Sequence, residues 1–166
     1  MNILGAILML LSGFWIFYQD MTSRWIHIVG FLLFAIGVYL NNTGNFIEIG
    51  SLFIVNIIFL CILFAVLKLQ LHLRKGKNEK MLNRYIGIGD VIILLIFCYA
   101  FNLHNLIVFI ITSCTISLLY YYFRVIILKK RTVRIPLAGI MALNYIILNF
   151  INPFLPLSIL FHTQHL

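Results

Sequence analysis

The sequence predicts an all-α, polytopic membrane protein with six transmembrane helices and both termini outside the cytoplasm. Of its 166 residues, 63% are apolar and only 10% are charged, whereas about 25% of the residues are charged in a soluble globular domain. Six apolar runs recur along the chain, and the basic residues are confined to alternate loops. We therefore expect residues 1–166 to form a single membrane-embedded domain.

The six predicted spans are the apolar runs themselves, each 16 to 18 residues long. This length is at the short end of the roughly 17 to 25 residues that cross hydrocarbon, so interfacial residues should extend most of the helices. The first run lacks a basic n-region and a small-residue cleavage site, which indicates a retained span rather than a signal peptide. In chain order the predicted spans are Ile3–Tyr18, Trp25–Leu40, Ser51–Leu67, Tyr85–Phe101, Leu106–Phe123 and Ile135–Ile151.

The twelve Lys and Arg residues predict the orientation, because positive charge beside span ends is retained in the cytoplasm during insertion. They lie in or beside the first, third and fifth loops, whereas residues 41–45, 102–105 and 152–166 contain none. This alternation predicts a multi-pass protein of the cytoplasmic (inner) membrane. The net charge of +8 lies beside span ends, so anionic lipids are the expected partners and nucleic acid is not. The basic residues are Arg24, Lys68, Arg74, Lys75, Lys77, Lys80, Arg84, Arg124, Lys129, Lys130, Arg131 and Arg134.

The cysteines and histidines do not indicate a metal site. Cys61, Cys98 and Cys114 each lie alone in an apolar run, without a CxxC pair or a histidine at ligand spacing. His162 and His165 are three residues apart near the end of the chain, where solvated polar surface is the ordinary interpretation. No metal and no other cofactor is therefore predicted.

Asp90 stands out among the four carboxylates, Asp20, Glu48, Glu79 and Asp90. Glu79 lies in the Lys-rich loop, and Glu48 lies near the start of a span, where an acid is favourable. Asp90 follows Arg84 by six residues, roughly 9 Å along a helix, and is therefore predicted inside the fourth span. An ionised carboxylate at mid-span costs about 2.5 to 3.5 kcal/mol, which makes function the default hypothesis. A pair with Arg84 or an interhelical hydrogen bond is the structural alternative.

Two glycines precede this aspartate, at Gly87 and Gly89. A glycine inside a helix costs about 1 kcal/mol relative to alanine, so the pair indicates a position that another group approaches closely. Tight packing between membrane helices is the alternative explanation.

Asp20 lies at the predicted cytoplasmic end of the first span. It can form an i,i+4 pair with Arg24 or cap the second helix. The charge rule, however, places Asp20 and Asp90 at the same membrane face, where they can meet. Two adjacent carboxyls do not both ionise easily, so one keeps a proton while the other acts as a base. This is the arrangement of an aspartyl hydrolase that activates water toward a peptide carbonyl.

At these residues the sequence resembles the type IV prepilin peptidase family of GxGD aspartyl proteases. The residues that carry the resemblance are Gly87-Ile88-Gly89-Asp90-Val91, the segment DMTSRWI at residues 20–26, and Arg134-Ile135-Pro136-Leu137-Ala138. The chain departs from the family at His27, where a proline is frequent, and at Ile92, where a lysine is frequent.

The resemblance implies a short, peptidase-only form of that family, without a methylating region. Asp20 and Asp90 would be the catalytic pair, with Gly87, Gly89 and Arg24 as supporting motif residues. The implied reaction is cleavage of the leader peptide of prepilin-like membrane proteins at the cytoplasmic membrane face. The sequence leaves the identity of the substrate and the oligomeric state open.

A non-enzymatic membrane protein is the competing hypothesis, either a small transporter or a pilus or secretion assembly factor with Asp90 as a proton or ion site. A transporter of this kind usually has internal repeats and several polar groups along an intramembrane path. The deeper polar residues here are Asn56, Asn144 and Asn149, and interhelical hydrogen bonds explain them. The ionisable groups are instead confined to one border of the predicted membrane domain.

Overall fold

The computed structural model describes residues 2–23, 25–41, 46–75, 87–126 and 135–151. This part of the chain contains six α-helices and no strand, so the all-α prediction is confirmed. Three helices are long and apolar enough to cross a membrane, namely α1, residues 50–70 of α3, and α5. The helices are α1 (Ile3–Thr22), α2 (Ile28–Asn41), α3 (Phe46–Lys75), α4 (Ile88–Ala100), α5 (Leu103–Ile126) and α6 (Leu137–Ile151).

Every helix overlaps one predicted apolar run, but α2, α4 and α6 begin two or three residues later than their runs. Residues 25–27 are not helical, and the His27 amide donates to the Gln19 side chain at 2.9 Å, which holds this connection against the end of α1. Helix α4 begins at Ile88 because Gly87 is extended, with φ −71° and ψ 147°. Tyr85, the predicted first residue of this span, lies outside the described part of the chain, as does Arg84, the alternative partner of Asp90.

Helices α1 and α2 form an antiparallel pair that packs backbone against backbone. A Cβ atom at Gly37 would lie 2.7 Å from the Met9 nitrogen and 3.0 Å from its Cα. The two helices are also in close contact where α1 begins and α2 ends, because a Cβ at Gly5 would lie 2.8 Å from the Leu40 Cβ. Such close approach through glycine is typical of helices that associate in lipid. It fixes α2 beside α1 and orients its inner face toward α4.

An aromatic cluster joins four helices in the centre of the bundle. Phe34 of α2, Phe97 of α4, Phe109 of α5 and Tyr145 of α6 are buried, together with Phe101 at the end of α4. Their ring centroids are 4.7 to 6.4 Å apart, most of them in edge-on or tilted arrangements, as aromatic quadrupoles favour. Helices α4 and α6 are central, since α4 packs on α2, α3 and α6, and α6 packs on α1, α4 and α5.

Three asparagines satisfy polar groups inside the bundle. The buried Asn56 of α3 donates to the carbonyls of Cys98 and Phe101 at 2.9 and 2.6 Å, and these carbonyls lie at the C-terminal end of α4. Asn144 of α6 donates to the Ser113 hydroxyl of α5 at 2.8 Å. The expected interhelical bonds are thus present for these two residues. Asn149 instead donates to the Tyr145 carbonyl within its own helix.

These contacts fix the direction of each helix. Asn56 is near the start of α3 and meets the end of α4, so the later turns of α3 run toward the start of α4. Helix α5 begins directly after α4 and runs back in the same direction as α3. One end of the bundle therefore holds the end of α1 and the starts of α4 and α6, and we call it the aspartate end. Lys68 and Arg124, the two basic side chains that the structure describes, lie in turns that run toward it.

Candidate active site

The first turn of α6 has no capping side chain of its own. The Pro136 carbonyl accepts from the Ile140 amide at 3.2 Å, which makes Pro136 the residue that precedes the first helical residue. Its ring carries no acceptor, although the second and third amides of a helix normally bond to an oxygen of the capping side chain. The amides of Ala138 and Gly139 are these two donors, and both need an acceptor from elsewhere in the fold.

Asp20 supplies one acceptor. This residue lies in the last turn of α1, and its carboxylate accepts a hydrogen bond from the Gly139 amide at 2.8 Å. The two residues are 119 positions apart in the chain, so the bond depends on the packing of α1 against α6. The sequence alternatives for Asp20 were a pair with Arg24 and a cap on α2. Arg24 lies outside the described residues, and the bond that the structure shows for Asp20 is to the start of α6.

Asp90 supplies the second acceptor. Its carboxylate accepts from the Gly87 amide at 3.1 Å, which satisfies the first free donor of α4, and it also accepts from the Ala138 amide at the start of α6. A negative charge in the first turn of a helix is favourable, because the amides there carry partial positive charge. Asp90 lies in the first turn of α4 rather than deeper inside the span as predicted, since the helix begins only at Ile88.

The two carboxylates therefore meet at the start of α6. They bind consecutive amides of one chain, so two hydrogen bonds and one peptide unit keep the accepting oxygens within about 10 Å of each other. The negative charges of Asp20 and Asp90 repel one another across this gap. We refer to Asp20, Asp90 and the amides of Ala138 and Gly139 as the dyad site.

The two glycines before Asp90 have different neighbours. A Cβ atom at Gly87 would lie 3.1 Å from the Asp90 carboxylate oxygen, so glycine leaves room for this carboxylate to fold back onto the Gly87 amide. A Cβ at Gly89 would lie 3.2 Å from the end of the Ile26 side chain and 3.3 Å from the Phe31 ring. Gly87 thus accommodates the acid itself, whereas Gly89 allows α2 and the segment before it to pack against α4.

A cysteine of α5 lies near the dyad site. The half-buried Cys114 of α5 lies within the electrostatic range of Asp90. No group of three or more His, Cys, Asp or Glu side chains that could hold a metal ion occurs among the described residues. Two carboxyls near each other are groups that can take part in acid–base chemistry.

Comparison with known proteins leaves the family open. The chain matches no protein-family model, no curated protein and no solved structure. The resemblance to prepilin peptidases thus depends on its three short segments. In the structure these segments are neighbours, since Ile26 faces Gly89 and Asp90 binds the Ala138 amide. Asp20 contacts Gly139, the residue that follows the third segment.

Sequence analysis did not identify the start of α6 as part of the site. Pro136 and Ala138 entered only through the resemblance, and Gly139 was not singled out. The proline at the start of this helix was the available signal, because proline is common at helix starts but brings no capping oxygen. That signal indicates uncapped amides without indicating which acceptors reach them.

Proposed function

We propose that this chain is a membrane aspartyl endopeptidase that uses Asp20 and Asp90 to activate water. The observation that supports this function best is the convergence of both carboxylates on the consecutive amides of Ala138 and Gly139. Two acids from different helices are held within about 10 Å of each other, and we propose that they hold one proton between them. This is the requirement for using one group as a base and its neighbour as an acid.

The proposed reaction balances with these two groups alone. The ionised carboxyl takes a proton from water, whose oxygen attacks the peptide carbonyl carbon, while the protonated carboxyl gives its proton to the carbonyl oxygen. The resulting tetrahedral diol collapses when the first carboxyl passes its proton to the peptide nitrogen and the second takes back a hydroxyl proton. The carbon–nitrogen bond breaks, a new carboxyl and a new amine form, and the dyad returns to its starting state.

The surroundings of the dyad site support a location at the membrane surface. Tyr18 and Trp25, on either side of Asp20 in the chain, are 67% and 84% exposed, and such aromatic residues favour the boundary between lipid and water. Lys68 and Arg124 lie on turns that run toward the same end. In the proposed topology all six helices span the cytoplasmic membrane, both termini are outside the cytoplasm, and the aspartate end faces the cytoplasm, where anionic lipids meet its positive charge.

The proposed substrates are prepilin-like membrane proteins, which carry a short leader followed by an apolar helix. Such leaders are typically basic, and the proposed cytoplasmic face is basic as well, so the leader is repelled. The apolar helix of the substrate therefore supplies most of the affinity by packing between helices. Anionic headgroups and the dyad carboxylates offset the charge of the leader.

Co-expression with candidate prepilin-like proteins tests this function. The wild-type chain is expected to shorten its substrate by the length of the leader, and mass spectrometry of the new N-terminus identifies the cleaved bond. The Asp20→Asn and Asp90→Asn variants, expressed at the same level in the membrane, are expected to leave the substrate intact. Processing by either variant would exclude the dyad and favour a transporter or assembly factor in which these acids have another task.

A further inference from the structure

We infer that Gly139 is a positioning residue for Asp20, an inference that rests on the proposed peptidase function. A Cβ atom at position 139 would lie 3.0 Å from the Cα of Phe17 and 3.2 Å from both the Cβ and a carboxylate oxygen of Asp20. The same residue donates its amide to that carboxylate at 2.8 Å. The absence of a side chain at residue 139 thus sets how closely the amide approaches Asp20.

A methyl group at residue 139 would meet a backbone atom, which cannot move without its helix. The Cα of Phe17 belongs to the backbone of α1, so relief requires that α1 and the start of α6 separate by a few tenths of an ångström. At Gly89, by contrast, the nearest atoms are the ends of the Ile26 and Phe31 side chains, which can rotate. The two glycines therefore differ in what a substitution would displace.

A displaced α6 would change the whole dyad site. The adjoining Ala138 amide binds Asp90, so a shift of this turn changes the separation of the two carboxylates as well as the bond to Asp20. Misplacement of reacting groups by about 1 Å can reduce the rate about a hundredfold, so a displacement of a few tenths of an ångström is expected to reduce it severalfold. Gly139 therefore acts on catalysis through the position of Asp20.

Gly13 provides a matched control on the same pair of helices. It lies seven residues before Asp20 in α1, and its neighbour Ile146 lies seven residues after Gly139 in α6. A Cβ atom at Gly13 would meet the end of the Ile146 side chain and would lie 3.1 Å from the Phe34 ring. The Gly13→Ala variant thus disturbs the packing of α1 on α6 about 10 Å from the dyad along the helix. It leaves the Asp20 bond in place.

The test compares wild type, Gly139→Ala and Gly13→Ala in lipid vesicles, with kcat, KM and thermal stability measured for each. For Gly139→Ala we expect kcat to fall roughly three- to tenfold, with KM within about twofold of wild type and a loss of thermal stability similar to that of Gly13→Ala. For Gly13→Ala we expect kcat near that of wild type. Wild-type kcat in Gly139→Ala, or an equal loss of kcat in both variants, would overturn the inference.

A second measurement separates this inference from the peptidase function. In a chain whose cysteines are replaced by alanine, the Asp20→Cys and Asp90→Cys substitutions are combined and cross-linked with a bifunctional thiol reagent. We expect Gly139→Ala to slow this cross-linking and Gly13→Ala to leave it unchanged. If wild type cleaves no substrate but cross-linking changes as expected, the peptidase proposal fails while Gly139 still positions the acids. Unchanged cross-linking in Gly139→Ala would overturn the inference whether or not wild type is active.

Discussion

Replacing Asp90 with asparagine is expected to reduce cleavage at least about a hundredfold while the protein stays folded, because general acid–base catalysis by one group contributes 10²- to 10⁴-fold. The asparagine side chain keeps an oxygen that can accept from the Gly87 and Ala138 amides, which Asp90 binds in the structure. It cannot take up and return a proton as a carboxyl does. Cleavage and thermal unfolding of the purified variant measure the two properties separately.

The Asp90→Ala variant completes this comparison, because it removes the hydrogen-bond acceptor as well as the acid. It should lose cleavage to the same extent and, in addition, about 1 kcal/mol of stability, the usual cost of a lost helix cap. The exposed Thr115, whose hydroxyl bonds only within α5, gives a control in Thr115→Ala that should change neither property. If Asp90 only caps helices, Asp90→Asn would cleave at the wild-type rate and only Asp90→Ala would differ.

Replacing Gly37 with alanine is expected to destabilise the fold by about 1 to 3 kcal/mol, as overpacking of a close contact does. The new Cβ would lie 2.7 Å from the Met9 nitrogen, so α1 and α2 must separate. Since α2 also packs against α4, the aromatic cluster around Phe34 should loosen as well. Thermal unfolding in detergent micelles or vesicles measures the effect.

Gly50 provides the control for this substitution. A Cβ atom at Gly50 of α3 would have no neighbour within 4 Å. The Gly50→Ala variant should therefore keep the wild-type stability or gain up to about 1 kcal/mol from the better helix propensity of alanine. Equal stability of Gly37→Ala and Gly50→Ala would show that α1 and α2 are not in backbone contact.

The helices were predictable because each apolar run is long and is bounded by polar residues. Their ends were less predictable. Helix α3 continues to Lys75, eight residues past its predicted end at Leu67, because leucine, glutamine, lysine and arginine are good helix formers beyond the apolar run. Helix α4 begins three residues later than predicted, because the extended Gly87 allows the Asp90 carboxylate to bond back to the first amide.

The acids of the site were predictable, but the surface that holds them was not. Asp90 was conspicuous as a charge in an apolar run, and the antiparallel order of the helices brings Asp20 to the same end of the bundle. The partner of both acids is the start of α6, which lies far from either aspartate in the chain and contributes backbone amides. Backbone donors leave no residue-type signature, so only the packing of α1 and α4 on α6 reveals Ala138 and Gly139 as their partners.

Thiol cross-linking tests most directly whether the two acids meet at the start of α6. Asp20→Cys and Asp90→Cys are combined in the chain from which Cys61, Cys98 and Cys114 have been removed. The reagent spans about 10 Å, the limit that two hydrogen bonds and a peptide unit set.

Two further cysteine pairs calibrate the reaction. Tyr39→Cys with Tyr99→Cys should cross-link, since the centroids of these rings are 5.8 Å apart. Asp20→Cys with His104→Cys should not, since His104 lies in the first turn of α5 at the opposite end of the bundle. For the Asp20→Cys and Asp90→Cys pair we predict cross-linking as complete as in the tyrosine pair. Cross-linking no greater than in the His104 pair would contradict a dyad of Asp20 and Asp90.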